Sequence, residues 1–297
     1  MNGDATVNRF PLRIAWFAAV ALAGLLTPAA LPAQEPGSLP EIKAPPAEQA
    51  PAAAQPAQTP AGAQPEAEAE PARKAPPASN WMKEHQQQME DDWPFLGRFK
   101  KADSKLAPPA PGENRVVFMG DSITQDWKIE GEKGSFPGKP YINRGIKAQT
   151  TPQMLLRFRQ DVIALQPKAV VILAGINDIA GNTGPETLEQ IEDNLASMAD
   201  LATANHIRVV LCSVLPSVSI PWVQGLKPAP KVLALNAWIK AYAAEMGYVY
   251  VDYHSAMQDE RGGLPAALSK DGVHPLPAGY AIMAPLVEAG IAKALAQ

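Results

Sequence analysis

A single cysteine, Cys212, stands among the 297 residues, which excludes an intrachain disulfide and any thiolate-rich metal site. It lies in the apolar run Val209-Val210-Leu211-Cys212, where a thiol reads as a small buried hydrophobe rather than a reactive group. Basic charge is scarce as well. The 26 Lys and Arg against 30 Asp and Glu leave a net charge of -4, without the basic face that marks nucleic-acid binding. Nucleic acid is therefore set aside as a partner. From Gln34 to Ser79 large apolar side chains are almost missing, and eleven prolines and two glycines in forty-six residues, about 28%, put the stretch in the disordered range. Residues 34–79 read as a Pro/Ala-rich linker that holds a domain away from whatever the N-terminus touches.

Ahead of that linker, residues 1 to about 33 carry Arg9 and Arg13, the uncharged run Ile14 to Leu26, then small residues and prolines up to Ala33. A short basic region, a brief apolar core and a small-residue exit describe a secretory signal peptide, with an uncleaved inner-membrane anchor as the alternative. Export to the periplasm or beyond a bacterial cell is the expectation, and tethering to the envelope through the N-terminus stays open.

After the linker the composition changes. Residues 80–110 bring Trp81, Met82, Met89, Trp93, Phe95, Leu96 and Phe99 among charges. Asn80 can cap a helix with Met82, His85 and Met89 on one side, and Asp92-Trp93-Pro94 should end it, because the residue before proline avoids the helical region. This helical extension is expected to pack on the domain that follows.

Residues 111–297 alternate strand and helix. Strand candidates are Val116 to Met119, Tyr141 to Asn143, Ala169 to Ala174, Arg208 to Val214 and Val249 to Tyr253. Between and after them, helical patterns cover Pro152 to Leu165, Pro185 to Asn205, Lys231 to Met246 and about Pro277 to Leu295, with Thr151-Pro152 and Gly184-Pro185 as starts. Such alternation predicts one α/β domain: a five-stranded parallel sheet between two layers of helices, flavodoxin-like in class.

In an open parallel sheet, functional groups gather at the carboxyl ends of the strands. Polar punctuation falls there in Gly120-Asp121-Ser122-Ile123-Thr124, Asn143-Arg144-Gly145 and Gly175-Ile176-Asn177-Asp178, and again in Asp271-Gly272-Val273-His274 before the last helix. Acyl transfer needs a nucleophile, a base to take its proton, and a third group to orient the base. Ser122, His274 and Asp271 can fill these roles, the last two meeting within one turn. A developing oxyanion needs donors, and the Ser122 N-H, the Gly145 N-H and the Asn177 side chain are the candidates. The bland readings are a helix cap at Ser122, a turn at Gly145, loop polar groups at Asn177 and Asp178, and a local hydrogen bond at Asp271 and His274. Asp178 is expected to hydrogen bond to nearby backbone instead of serving the site. His254 with Asp252 offers too few ligands for a metal, and no cofactor is called for.

The four stretches resemble, in order, the blocks of the SGNH/GDSL hydrolase family, with Ile123 where the family name has leucine. That resemblance covers roughly residues 115–297. It implies the SGNH hydrolase fold, a serine esterase with Ser122 as nucleophile and Asp271 and His274 completing the triad, and an oxyanion hole of Ser122, Gly145 and Asn177. The run Asn143-Arg144-Gly145-Ile146 and the Asn177-Asp178 pair are similar to bacterial lysophospholipase-like and acetylhydrolase-like members. A small-molecule or carbohydrate ester, short-chain and acetyl above all, is the substrate so implied. A lysophospholipase or thioesterase, an acyltransferase and a non-catalytic envelope-binding module are the alternatives. Trp127 and the segment Ser217 to Pro230 with Trp222 are expected to wall the substrate site, because the loops after strands one and four overlook one rim.

Overall fold

A computed structural model describes residues 80–297 of the chain. The expected signal peptide and linker, and the side chains of Asn80 (the expected cap), Trp81 and Met82, lie outside what is described. The elements, in order, are α1 (Asn80–Asp91), α2 (Lys100–Asp103), β1 (Val116–Gly120), α3 (Ser122–Asp126), β2 (Tyr141–Gly145), α4 (Thr151–Asp161), β3 (Ala169–Leu173), α5 (Ile176–Ile179), α6 (Leu188–Ala204), β4 (Arg208–Cys212), α7 (Ala229–Met246), β5 (Val249–Val251), α8 (Tyr253–Met257) and α9 (Pro277–Leu295).

The five strands form one parallel sheet in the order β2-β1-β3-β4-β5. Their sequences are apolar almost throughout because both faces are covered. Val117, Met119, Val170, Ile172, Val209 and Leu211 face a core shared with Met154 and Phe158 of α4, Ile191, Leu195 and Met198 of α6, and Leu235 and Ile239 of α7. The alternate residues Val116, Phe118, Val171, Leu173, Val210, Cys212 and Val251 face Met283, Val287 and Ile291 of α9. Cys212 is buried, and burial pushes its thiol up to about 12, which leaves it protonated and inert.

Helix starts differ from expectation by a few residues, each for a capping reason. Helix α6 begins at Leu188, not near Pro185, because Thr187 and Gln190 form a reciprocal capping box. Helix α4 begins at Thr151 with Thr150 as its cap, the Gln153 side chain accepting the Thr150 N-H at 3.1 Å. The Asp178 carboxylate supports the same terminus, accepting the N-H of Thr151 at 2.7 Å and bonding the Thr151 hydroxyl. Its other oxygen, Oδ2, is buried without a partner. Burial, against the Thr151 hydrogen bonds, pushes the Asp178 carboxyl up to about 7, with the nearby Glu186 adding to the rise.

The carboxyl ends of β1 and β2 are drawn together by one side chain. Arg157 of α4 is fully buried and donates to the carbonyls of Gly120 (3.3 Å) and Arg144 (2.8 Å), to Gln149 Oε1 (2.6 Å) and to Asp161 (3.0 Å). Two glycines let α3 settle on these strand ends. A Cβ on Gly120 would lie 2.2 Å from Thr124 Oγ1 of α3, and one on Gly145 only 2.2 Å from the backbone nitrogen of Gln125.

The extension runs over α4 and the end of β2. Side-chain amides of Gln149, Gln153 and Gln160 donate to the carbonyls of Pro94 (3.0 Å), Trp93 (2.7 Å) and Leu96 (2.7 Å). Phe95 is buried with its ring 5.4 Å from that of His85, and Arg144 stacks 4.6 Å over Phe99 while pairing with Asp103.

Replacing Gly145 by alanine should destabilise the protein by about 1 to 3 kcal/mol through this backbone clash, measurable by urea or thermal unfolding. A second expectation concerns pH. A carboxyl whose pKa is higher folded than unfolded holds an extra proton in the folded state, so its contribution to stability is lost as pH rises from about 4 to about 7. Asp178→Asn should therefore gain stability relative to the parent between pH 5 and pH 8. Parallel melting-temperature profiles for the two proteins across that range would contradict the assignment.

Candidate active site

Ser122 is the first residue of α3, immediately beyond β1, and Asp121 caps that helix by accepting the Ile123 N-H at 2.9 Å. As a first-turn residue, Ser122 has an N-H with no intrahelical acceptor. Burial raises the Asp121 carboxyl to about 6, against the pull of the Ile123 N-H and of His274. Across the sheet end, the loop before α9 carries Asp271 and His274. Oδ1 of Asp271 accepts the backbone N-H of Val273 (3.0 Å) and of His274 (2.8 Å), and the Ser269 hydroxyl adds a bond at 3.1 Å. Burial alone would raise this carboxyl. The His274 N-H, the His274 ring and the Val273 N-H together hold it down at about 2.

Asp271 is thus ionised near neutrality and can only accept, so His274 Nδ1, 2.7 Å from Oδ2, carries the proton. Nε2 is left as an acceptor facing Ser122 Oγ at 2.9 Å. Three residues separated by up to 152 positions in sequence therefore stand in one hydrogen-bonded line.

Asn177, in α5, is 2% exposed, and its amide group is bonded on both sides. Its Nδ2 donates to the Gln149 carbonyl (3.0 Å) and to Asp121 Oδ2 (3.3 Å), and its Oδ1 accepts from Asn182 Nδ2 (2.9 Å). Gly145 departs from expectation. Its N-H donates to Asn143 Oδ1 at 2.8 Å, because β2 is an edge strand and alternate N-H groups point off the sheet, so it is not free for a substrate oxygen in this structure. The glycine is required there by the close approach of α3.

The two tryptophans separate. Trp127 is 3% exposed, packs against Phe118, Phe136 and Tyr280, and donates its N-H to Ser135 at 2.9 Å. It is a core residue, drawn in by the aromatic cluster beneath β1. It also borders a cavity of about 550 Å³ with Tyr280, Pro275 and Lys128, whose lining includes neither Ser122 nor His274. Trp222 is 44% exposed, with its ring centroid 5.8 Å from that of His274 and its N-H donating to Asn182 Oδ1 at 3.1 Å. It walls the histidine side of the site.

Three contributors carry no signal in the sequence. Asn182 holds Asn177 and the Ala148 carbonyl (3.2 Å); Gln149 joins Asn177 to Arg157. Ala148 sits at φ +65° in the turn closed by the Gln149 N-H on the Ile146 carbonyl, a left-handed conformation that costs a non-glycine residue on the order of 1 kcal/mol. His254 donates its backbone N-H to Ser213, and Asp252 is spent capping α8. Among the described residues no group of three or more His, Cys, Asp or Glu is arranged to hold a metal.

Comparison with known proteins places this geometry in context. Residues 118–282 match the model of the GDSL-like lipase/acylhydrolase family. A GDSL-like lipase from Bacteroides thetaiotaomicron is 44% identical, with a TM-score of 0.65 over 68% of this chain and 100% of that one. An acetylxylan esterase from Geobacillus stearothermophilus is 27% identical over 57% of this chain and 90% of its own length. A crystal structure of an acetylxylan esterase from the same organism superposes with a TM-score of 0.51 at 25% identity, over 61% of this chain and 94% of that one.

Proposed function

We propose, from the premise that the chain belongs to the GDSL-like lipase/acylhydrolase (SGNH/GDSL) family and is a carboxylic ester hydrolase, that it cleaves short-chain acyl esters through a serine acyl-enzyme. The observation that carries the reading is the unbroken line Asp271, His274, Ser122, with contacts of 2.7 and 2.9 Å. Ser122 Oγ attacks the ester carbonyl as its proton passes to His274 Nε2. Asp271 stabilises the imidazolium that forms. Collapse of the tetrahedral intermediate expels the alcohol, which takes the proton from Nε2, and water then repeats the sequence on the acyl-enzyme.

The oxyanion is met by the Ser122 N-H and by Asn177 Nδ2, which gives up its longer bond to Asp121. In place of Gly145 we assign the remaining backbone donor to Ala148, in the strained turn whose carbonyls the Asn177 and Asn182 amides grip. Removing one such donor costs about 10² to 10³ in turnover.

For the substrate, the likeness to acetylxylan esterases at 27% and 25% identity supports an acetyl group on a carbohydrate. The exposed Trp222 beside His274 offers a ring on which a sugar can stack. The basic-apolar-small sequence before the linker supports action outside the cytoplasm, where polysaccharide is met.

The test is hydrolysis of p-nitrophenyl acetate, butyrate and octanoate, and release of acetate from acetylated xylo-oligosaccharide. Turnover should fall steeply beyond the shortest esters, and Ser122→Ala should lose roughly 10⁴-fold or more while keeping its circular dichroism spectrum. A folded Ser122→Ala protein with full activity would overturn the mechanism. A preference for octanoate would move the substrate to lysophospholipids or long-chain thioesters.

A further inference from the structure

The amides beside Ser122 form a line of fixed polarity that ends on an exposed aromatic ring. At one end the Trp222 indole N-H, a group that only donates, meets Asn182 Oδ1 at 3.1 Å. Asn182 must therefore present its NH₂ to the other side, where it donates to Asn177 Oδ1 (2.9 Å) and to the Ala148 carbonyl (3.2 Å). Asn177 in turn directs its own NH₂ towards the Gln149 carbonyl and the Asp121 carboxylate, both acceptors, one residue from Ser122. A reversed Asn177 would set oxygen against oxygen at that end and remove the donor from the reaction centre. The orientation of this buried amide is thus fixed from both ends, by the Gln149 and Asp121 acceptors and, through Asn182, by a side chain that is 44% exposed and whose ring lies 5.8 Å from that of His274.

We propose that Asn182 and Trp222 are positioning residues for ester hydrolysis. The indole N-H, acting through Asn182, holds the Asn177 amide from its oxygen side, in concert with the acceptors at Gln149 and Asp121, so that its NH₂ faces the oxyanion. Substrate that touches the Trp222 ring at the histidine side thereby bears on the same chain that aligns the oxyanion donor. This assignment rests on the reading of Asn177 as that donor.

Phenylalanine at position 222 keeps an aromatic ring and deletes the N-H. In the full-length protein, with p-nitrophenyl acetate, Trp222→Phe should lower kcat by about tenfold and leave KM within about twofold, the size expected for losing one orienting hydrogen bond. In an Asn177→Ala background the same substitution should change kcat by less than about twofold, since two groups acting through one another are not additive. Asn182→Asp, which keeps the acceptor for Trp222 but loses the donor to Asn177, should repeat the kcat loss and serves if Trp222→Phe fails to fold. Parental kcat in both variants would overturn the relay. So would an undiminished tenfold loss in the Asn177→Ala background, because Trp222 would then act independently of Asn177. Asn177→Ala alone with parental kcat would remove Asn177 as the oxyanion donor, and the relay with it, while leaving Ser122-dependent turnover intact.

Discussion

Everything at the reactive end of this sheet depends on one guanidinium in the wrong place for a charge. Arg157 is wholly buried, and desolvation lowers its pKa to about 10 despite the Asp161 carboxylate beside it. Strand carbonyls at the end of a parallel sheet run out of partners, and a buried unpaired carbonyl is costly. The planar fork of Arg157 meets two of them at once, on β1 and β2, and uses its remaining donors on Gln149 and Asp161. Removing it would leave the buried Asp161 carboxylate without its counter-charge and the Arg144 carbonyl without its donor, a loss of about 3 to 5 kcal/mol. Ser122 follows β1 directly, and the turn bearing Ala148 follows β2, so the grip that satisfies the backbone also fixes the spacing of the site.

How far the sequence disclosed this depends on whether a residue's signal is local. The strands are legible because runs such as Val116-Val117-Phe118-Met119 can be buried on both faces only in a covered parallel sheet. Asp271 and His274 are legible because three residues of one loop suffice to make their contact. Gly145 is only half legible. A glycine at a strand end announces a close approach, but whether that serves a substrate or a neighbouring helix depends on which way alternate N-H groups point, and on which strand lies at the edge. Trp127 is misread for a similar reason: an aromatic after a strand end faces solvent or core according to the cluster it finds, here Phe118, Phe136 and Tyr280. Asn182 and Gln149 read as ordinary loop polar residues, since their roles depend on partners such as Trp222 and Asn177, 40 and 28 positions away.

The site joins two kinds of order. The line from Asp271 to Ser122 is built from a charge and the groups that stabilise it, and tightens as the carboxylate ionises. The line from Trp222 to Asp121 is built from neutral amides whose directions are fixed by their ends. One manages the proton, and the other manages where negative charge can form. They meet at Asp121 and Ser122, adjacent residues at the head of a five-residue helix.

The extension ahead of the sheet is held mainly by glutamine. Gln149, Gln153 and Gln160 each offer an uncharged amide to an uncharged carbonyl of Trp93, Pro94 or Leu96. Such contacts carry no net charge to be screened by dissolved ions and no group that titrates between strongly acidic and strongly alkaline media. The ion pair that accompanies them, Arg144 with Asp103, is partly sheltered from solvent and so less exposed to screening than a surface pair. The segment is thus fastened by a joint that brine and fresh water would leave almost equally tight.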